Sequence, residues 1–191
     1  MKDILIFGVP RAGKTTLSKL LIEELRDYHI FSIDAIRNAF GDVFPELEIN
    51  DRNGKNNETA LPDYVSRLLY WQHDELKNKQ GYIIEGCQVL PDKVSEVFDI
   101  KNSIVIYLGH GTLLPEEILE NIRKYDTPDE YSYKRDDETM LKQCREYYEI
   151  EKMNIAKCKK YGFIYVDTST NRKEVLRKLV DQIKSIVEEF N

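Results

Sequence analysis

Gly8-Val9-Pro10-Arg11-Ala12-Gly13-Lys14-Thr15 decides how this chain of 191 residues folds. It matches G-x-x-x-x-G-K-[ST] at every fixed position, and the apolar run Ile4-Leu5-Ile6-Phe7 leads into it. Glycine lets the backbone curl until several N–H groups face one anion, and the helix that starts there adds the positive end of its dipole. Average residue usage makes a chance match in a chain this long roughly a 1% event. A strand before the loop and a helix after it lower that further. The pattern assigns Gly8, Arg11, Ala12, Gly13, Lys14, Thr15 and Thr16 to the phosphates of a nucleotide. In that role Lys14 bridges the β- and γ-phosphates, the Thr15 hydroxyl ligates Mg²⁺, and Thr16 touches the α-phosphate side.

Outward from the loop, short apolar runs at 3–7, 30–33, 82–85, 103–108 and 163–166 alternate with helical periods at 14–28, 63–79, 137–160 and 171–189. Alternation of this kind is the signature of βαβ units, whose parallel strands are buried on both faces and so read as continuous apolar runs. The expected fold is a three-layer α/β/α sandwich around a five-stranded parallel sheet, in one domain over 1–191. Two segments fit neither period. Residues 41–62 are polar and turn-rich, with Asn53-Gly54 and Asn56-Asn57, and 125–136 are dense in charge and tyrosine. Long irregular segments in a compact domain are usually lids or linkers. They are read as insertions flanking the cleft: an acceptor-binding region over about 34–80 and a lid over about 123–137.

Composition bounds the partners. With 41% hydrophobic and 32% charged residues the chain reads as an ordinary globular protein, and a net charge of −6 argues against non-specific nucleic-acid binding. Cys87, Cys144 and Cys158 are odd in number and lack C-x-x-C spacing, which argues against a disulfide framework or zinc and for reduced thiols in a cytoplasm. The opening apolar run is too short for a signal peptide, and no stretch approaches the roughly 20 apolar residues of a membrane span. A cytoplasmic monomer acting on a small molecule is expected.

Three further features bear on the reaction. Asp34-Ala35-Ile36-Arg37 follows the second strand, at the edge where ligands bind in a parallel sheet. Asp34 and Arg37 share a helix face, so the carboxylate is placed to take a proton and the guanidinium to fork onto an anion. The plain alternative is a capping Asp with an ion-paired Arg. Glu85 ends the third strand as an acid after apolar residues, the look of a Walker B position, and Gly86 and Gln88 lie beside it. It reads as a residue that holds magnesium through water or acts as a base toward a hydroxyl acceptor; a strand-end acid meeting solvent is the alternative. Arg123, Lys124, Lys134, Arg135 and Arg145 supply cations near the lid, where positive charge over a transferring phosphoryl group would act. A solvated, charge-alternating helix start is the alternative there. His29, His73 and His110 have no ligand spacing, and Tyr70-Trp71 reads as packing.

The chain resembles the adenylate kinase and nucleoside monophosphate kinase group over most of its length. Asp34-Ala35-Ile36-Arg37 is similar to that group's D-x-L-R, and 81–86 to its G-[FY]-[IL]-[IL]-D-G strand. Arg135-Asp136-Asp137 with Arg145 resembles the lid R-x-D-D and its following arginine, with Lys134 at the first arginine's place. Val166-Asp167-Thr168 resembles the V-D-G turn whose backbone lies near the adenine. The resemblance implies ATP and Mg²⁺ as cofactors and a small phosphoryl acceptor. It further implies catalytic roles for Lys14, Asp34, Arg123 and Arg145, an adenine- and phosphate-covering role for Arg123, acceptor contacts from Asp34, Arg37, Glu85, Gly86 and Gln88, and lid cations at Lys134 and Arg135. One departure concerns the acceptor. Where the group continues F-P-R, with the arginine gripping a monophosphate, this chain has Cys87-Gln88-Val89, which leaves Arg37 as the acceptor clamp. Related kinases that phosphorylate hydroxyls on sugars, nucleosides, antibiotics or polynucleotide ends also carry an acid after the second strand, as base, and Asp34 suits that role. A phosphate acceptor, a hydroxyl acceptor and a nucleotide-dependent regulatory ATPase remain open at this point.

Overall fold

The computed structural model describes residues 1–49, 60–77, 79–87 and 89–189. In chain order these form β1 (Asp3–Gly8), α1 (Lys14–Glu24), β2 (Tyr28–Ser32), α2 (Ile33–Val43), α3 (Ala60–Leu76), β3 (Gly81–Glu85) and α4 (Pro91–Val97). Then follow β4 (Ser103–Gly109), α5 (Pro115–Tyr125), α6 (Asp137–Tyr161), β5 (Ile164–Asp167) and α7 (Arg172–Glu189). The strands are all parallel, in the order β2-β3-β1-β4-β5.

Strand periodicity sorts the core into two layers. Ile4, Ile6, Ile83, Ile104, Ile106 and Leu108 pack with residues of α1, α5, α6 and α7 on one face. Their neighbours Leu5, Phe7, Tyr82, Ile84, Val105 and Tyr107 pack with α3 and α4 on the other. Every residue of β1 is buried, so both faces of the central strand exclude water, at about 1.5–3 kcal/mol per large apolar side chain. The chain leaves β1 toward β3 and β2 on one side and reaches β4 and β5 on the other. The carboxyl end of β1 is therefore a topological switch point, where a crevice opens between diverging connections.

The elements depart from the sequence reading where edges and helix ends override local pattern. β2 is an edge strand, with Ile30 38% exposed, and Ile33 belongs to α2, whose first residue it buries against the sheet. α1 stops at Glu24, and Tyr28 enters β2 with its hydroxyl donating to Lys2 O at 2.8 Å. The polar segment 41–62 is helical at both ends, because α2 runs on to Val43, one 3₁₀ turn covers Pro45–Leu47, and α3 begins at Ala60. α4 is a single apolar-faced element of 7 residues with proline in its first turn, too short for periodicity to reveal. Tyr70 and Trp71 stack edge to face at 5.3 Å but stay 59% and 58% exposed, so they are not core. Between α5 and α6 the lid segment has only turns, such as Glu130 N–H to Thr127 O at 2.9 Å, until Asp136 caps α6 by accepting from Thr139 N at 2.8 Å. Among the described residues no helix is long and apolar enough to cross a membrane.

Candidate active site

The phosphate loop leaves β1 at Gly8, whose φ of 121° and the closeness of the Leu108 carbonyl exclude any side chain. The loop is held from beneath. The Thr168 hydroxyl lies 2.8 Å from Ala12 O and 2.9 Å from Gly109 O, and His110 Nε2 lies 3.2 Å from Pro10 O. A carbonyl only accepts, so Nε2 carries the proton, and burial holds the imidazole down to about 4, hence neutral. Lys14 is buried, and among the described residues no carboxylate pairs with it; its Nζ donates to Gly8 O at 3.1 Å and Val9 O at 2.8 Å.

A cleft of 860 Å³ opens above this loop. It gathers Lys14, Thr15 and Thr16 from α1, Asp34 and Arg37 from α2, and Glu85 and Cys87 from the end of β3. Arg37 NH1 lies 3.1 Å from Asp34 Oδ1, and the Cys87 thiol lies 4.0 Å from the same oxygen. Thr15 Oγ1 donates to Glu85 Oε2 at 3.2 Å, which brings together the two residues expected to hold magnesium. Both are hard oxygen donors, and no group of three or more His, Cys, Asp or Glu is gathered elsewhere among the described residues. This set fits a Mg²⁺ that takes its remaining ligands from phosphates and water.

The other expected residues are placed differently. Arg11 lines the cleft, but its guanidinium turns to the lid, with NH2 3.0 Å from Asp126 Oδ1 and NH1 2.6 Å from Glu130 Oε1. Arg123, read as catalytic and nucleotide-covering, is occupied within the lid by Asp126, Asp137, Ser132 O and Arg135 O. Lys134, Arg135 and Arg145 are exposed and, with Arg123, are not among the described residues that line the cleft. Gly86 donates its N–H to Ile6 O at 3.1 Å and packs on Ile33, so that amide holds the sheet instead of facing a ligand. Gln88 lies outside the described residues. A larger hollow of 1030 Å³ sits at the opposite, amino edge of the sheet, but Asp3, Asp63, Asp74, Glu96 and Asp99 line it, which disfavours phosphate.

No protein-family model matches the chain. An adenylate kinase of Azobacteroides pseudotrichonymphae is 36% identical over 87 residues, 45% of each chain. The chain thus spans about half the length of the curated adenylate kinases it matches. A shikimate kinase of Bacillus cereus is 28% identical over 191 residues, 99% of this chain and 100% of that one. Among solved structures, a gluconokinase from Sinorhizobium meliloti superposes with a TM-score of 0.60 at 14% identity, covering 99% of this chain and 95% of that one. The chain is similar in sequence to these kinases and has the fold of the P-loop kinases.

In this P-loop kinase fold the sequence reading missed the buried groups that support the loop. Glu151 of α6 accepts from His110 N at 3.1 Å and from the Tyr165 hydroxyl, and a side chain at Gly109 would run into its carboxylate. Arg172 at the start of α7 donates to Asn121 Oδ1 at 3.0 Å and lies 4.0 Å over the Tyr125 ring, on the cleft wall. The Glu151 signal was present: the buried stripe of α6 runs Met140, Cys144, Tyr147, Glu151, Asn154, Cys158, and one member is an acid.

Burial pushes the Glu151 carboxyl up to about 7, against the hydrogen bonds that favour its charge. Its ordinary value is 4.5, so its contribution to stability is complete below that pH and is lost as pH rises through about 7. Glu151→Gln, which copies the neutral acid, should match the wild type's pH trend below about pH 4 and gain about 3 kcal/mol relative to it by pH 8. Urea unfolding of both proteins at the two pH values measures this. A difference that does not change with pH would mean that Glu151 stays charged in the fold.

Proposed function

We propose that this protein is an ATP- and Mg²⁺-dependent kinase that transfers the γ-phosphoryl group to a hydroxyl of a small anionic acceptor. The observation that carries the reading is the placement of Asp34 and Arg37, one helical turn apart and 3.1 Å from each other, in the same cleft as Lys14 and Thr15. The full-length relative and the fold neighbour support it, since shikimate and gluconate, the substrates in their names, are hydroxy acids without phosphate. The position where a monophosphate-gripping arginine was sought holds Val89.

In this reading the N–H groups of the loop and the start of α1 bind the triphosphate. Lys14 leaves its two carbonyls for the β- and γ-phosphate oxygens, and Thr15 with Glu85 holds the cation. Bound there, Mg²⁺ would neutralise charge on the phosphates. Arg37 forks onto the carboxylate of the acceptor. Asp34 takes the proton of the acceptor hydroxyl as its oxygen bonds to the γ-phosphorus; the bond to the β,γ-bridging oxygen breaks and ADP leaves with that electron pair. The region over about 34–80 serves the acceptor and the lid over about 123–137 limits access of water.

Coupled ADP release with ATP·Mg against hydroxy acids, sugars, nucleosides and nucleoside monophosphates tests this. Turnover at roughly 1–100 s⁻¹ with a hydroxy acid is expected. Turnover with AMP instead would favour the phosphate-acceptor reading, for which the 36% identity to an adenylate kinase over 87 residues speaks. ATP binding without any responsive acceptor would turn the search to a nucleotide-dependent regulator.

A further inference from the structure

Arg11 is a non-glycine residue at φ 65°, in the left-handed region that costs other residues about 1–2 kcal/mol. Strain of this kind persists only where surrounding contacts over-determine it. Here the contacts are ionic and reach across the cleft. One terminal nitrogen of Arg11 pairs with Asp126 at 3.0 Å and the other with Glu130 at 2.6 Å, both carboxylates belonging to the lid segment. The Asp126 carboxylate is only 2% exposed, and its second oxygen takes Arg123 NH1 at 3.1 Å. Arg123 in turn donates to Ser132 O, to Arg135 O at 2.7 Å and to Asp137 at 2.6 Å. A continuous chain of charge-assisted contacts therefore runs from the phosphate loop to the start of α6. It is the framework of a segment whose backbone offers only isolated turns. The cleft stays open with this chain intact: Arg11 and Glu130 line the same 860 Å³ space as Lys14 and Thr15, within the range that holds small ligands.

We propose that Arg11 latches the lid to the phosphate loop. It is a positioning residue for the transfer proposed above, on which this part of the inference rests, and it holds 126–136 over the cleft through Asp126 and Glu130. The lid cations read from the sequence act, in this view, through the latch: Arg123 braces the lid and does not touch the nucleotide.

Arg11→Gly separates the latch from the loop, because glycine adopts φ 65° without strain. In the full-length variant, amide exchange over 127–135 should accelerate roughly tenfold or more, with or without ATP·Mg. With the acceptor found for the wild type, kcat should fall roughly tenfold while KM for ATP moves less than about threefold, since the loop's backbone shape and Lys14 are kept. Glu130→Gln should shift exchange in the same direction by less, and should add little in the Arg11→Gly background. Wild-type exchange over 127–135 in Arg11→Gly would overturn the latch. A loss carried by KM for ATP alone would overturn its positioning role and make Arg11 a phosphate contact. If no acceptor is found, the proposed kinase reaction fails, yet the exchange rates still decide the latch.

Discussion

Asp34→Asn should lower kcat by roughly 10²–10⁴-fold while leaving ATP binding in place, the range for losing a general base. Asparagine keeps the size and one acceptor oxygen of the side chain, so the first turn of α2 has no reason to rearrange. What it loses is the ability to take a proton. The carboxylate is 42% exposed, faces the cleft and is paired with Arg37 at 3.1 Å, so it is accessible to an acceptor and oriented before one arrives. Release of Arg37 from that pair leaves its guanidinium freer to hold an acceptor anion, so KM for the acceptor should not rise. Steady-state kinetics with the acceptor identified by the panel reads both numbers. A phosphate acceptor is already ionised and needs no base. A kcat within a few-fold of wild type would therefore remove Asp34 from proton transfer and return the chain to the phosphate-acceptor reading.

How much of this was legible before the structure depended on whether a feature is local. The strands of the sheet interior, such as Ile4 to Phe7 and Ile104 to Leu108, are buried on both faces, and their unbroken apolar runs announce it. The phosphate loop is a single stretch of chain whose residue types follow from its own backbone shape, so Lys14 and Thr15 could be read directly. Asp34 and Glu85 sit where strands end, and in a parallel sheet those ends converge. The lid cations were another matter. Arg123, Arg135 and Arg145 have the right charge for a phosphoryl group, but charge does not say which partner wins. Asp126 and Asp137 are nearer to Arg123 than the cleft is, and they take it. For the same reason Arg11 was read toward the phosphates and is found on the lid. The support beneath the loop is the least local of all: Thr168 and Ala12 are joined across 156 positions by one hydroxyl, which no pattern in either neighbourhood encodes.

Lys14→Met should cost roughly 10²–10³-fold in kcat, as removal of one preorganised donor to a developing charge does. The same substitution should leave the nucleotide-free protein at least as stable as the wild type. Lys14 is 8% exposed, its ammonium has two carbonyls and, among the described residues, no carboxylate for company, and burying a cation on those terms is unfavourable. Methionine fills nearly the same volume without the charge. The two effects together are diagnostic. A lysine kept for packing or for an ion pair would lose stability with activity, whereas one kept for phosphate loses activity alone. Thermal unfolding with and without ATP·Mg separates the cases. Wild type should gain about 2.7 kcal/mol at a nucleotide concentration 100 times its Kd, and the variant should gain less at that concentration because its Kd is weaker. A variant that unfolds earlier than wild type without nucleotide, yet gains as much from it, would mean that Lys14 holds the loop together and that phosphate recognition rests on backbone N–H groups alone.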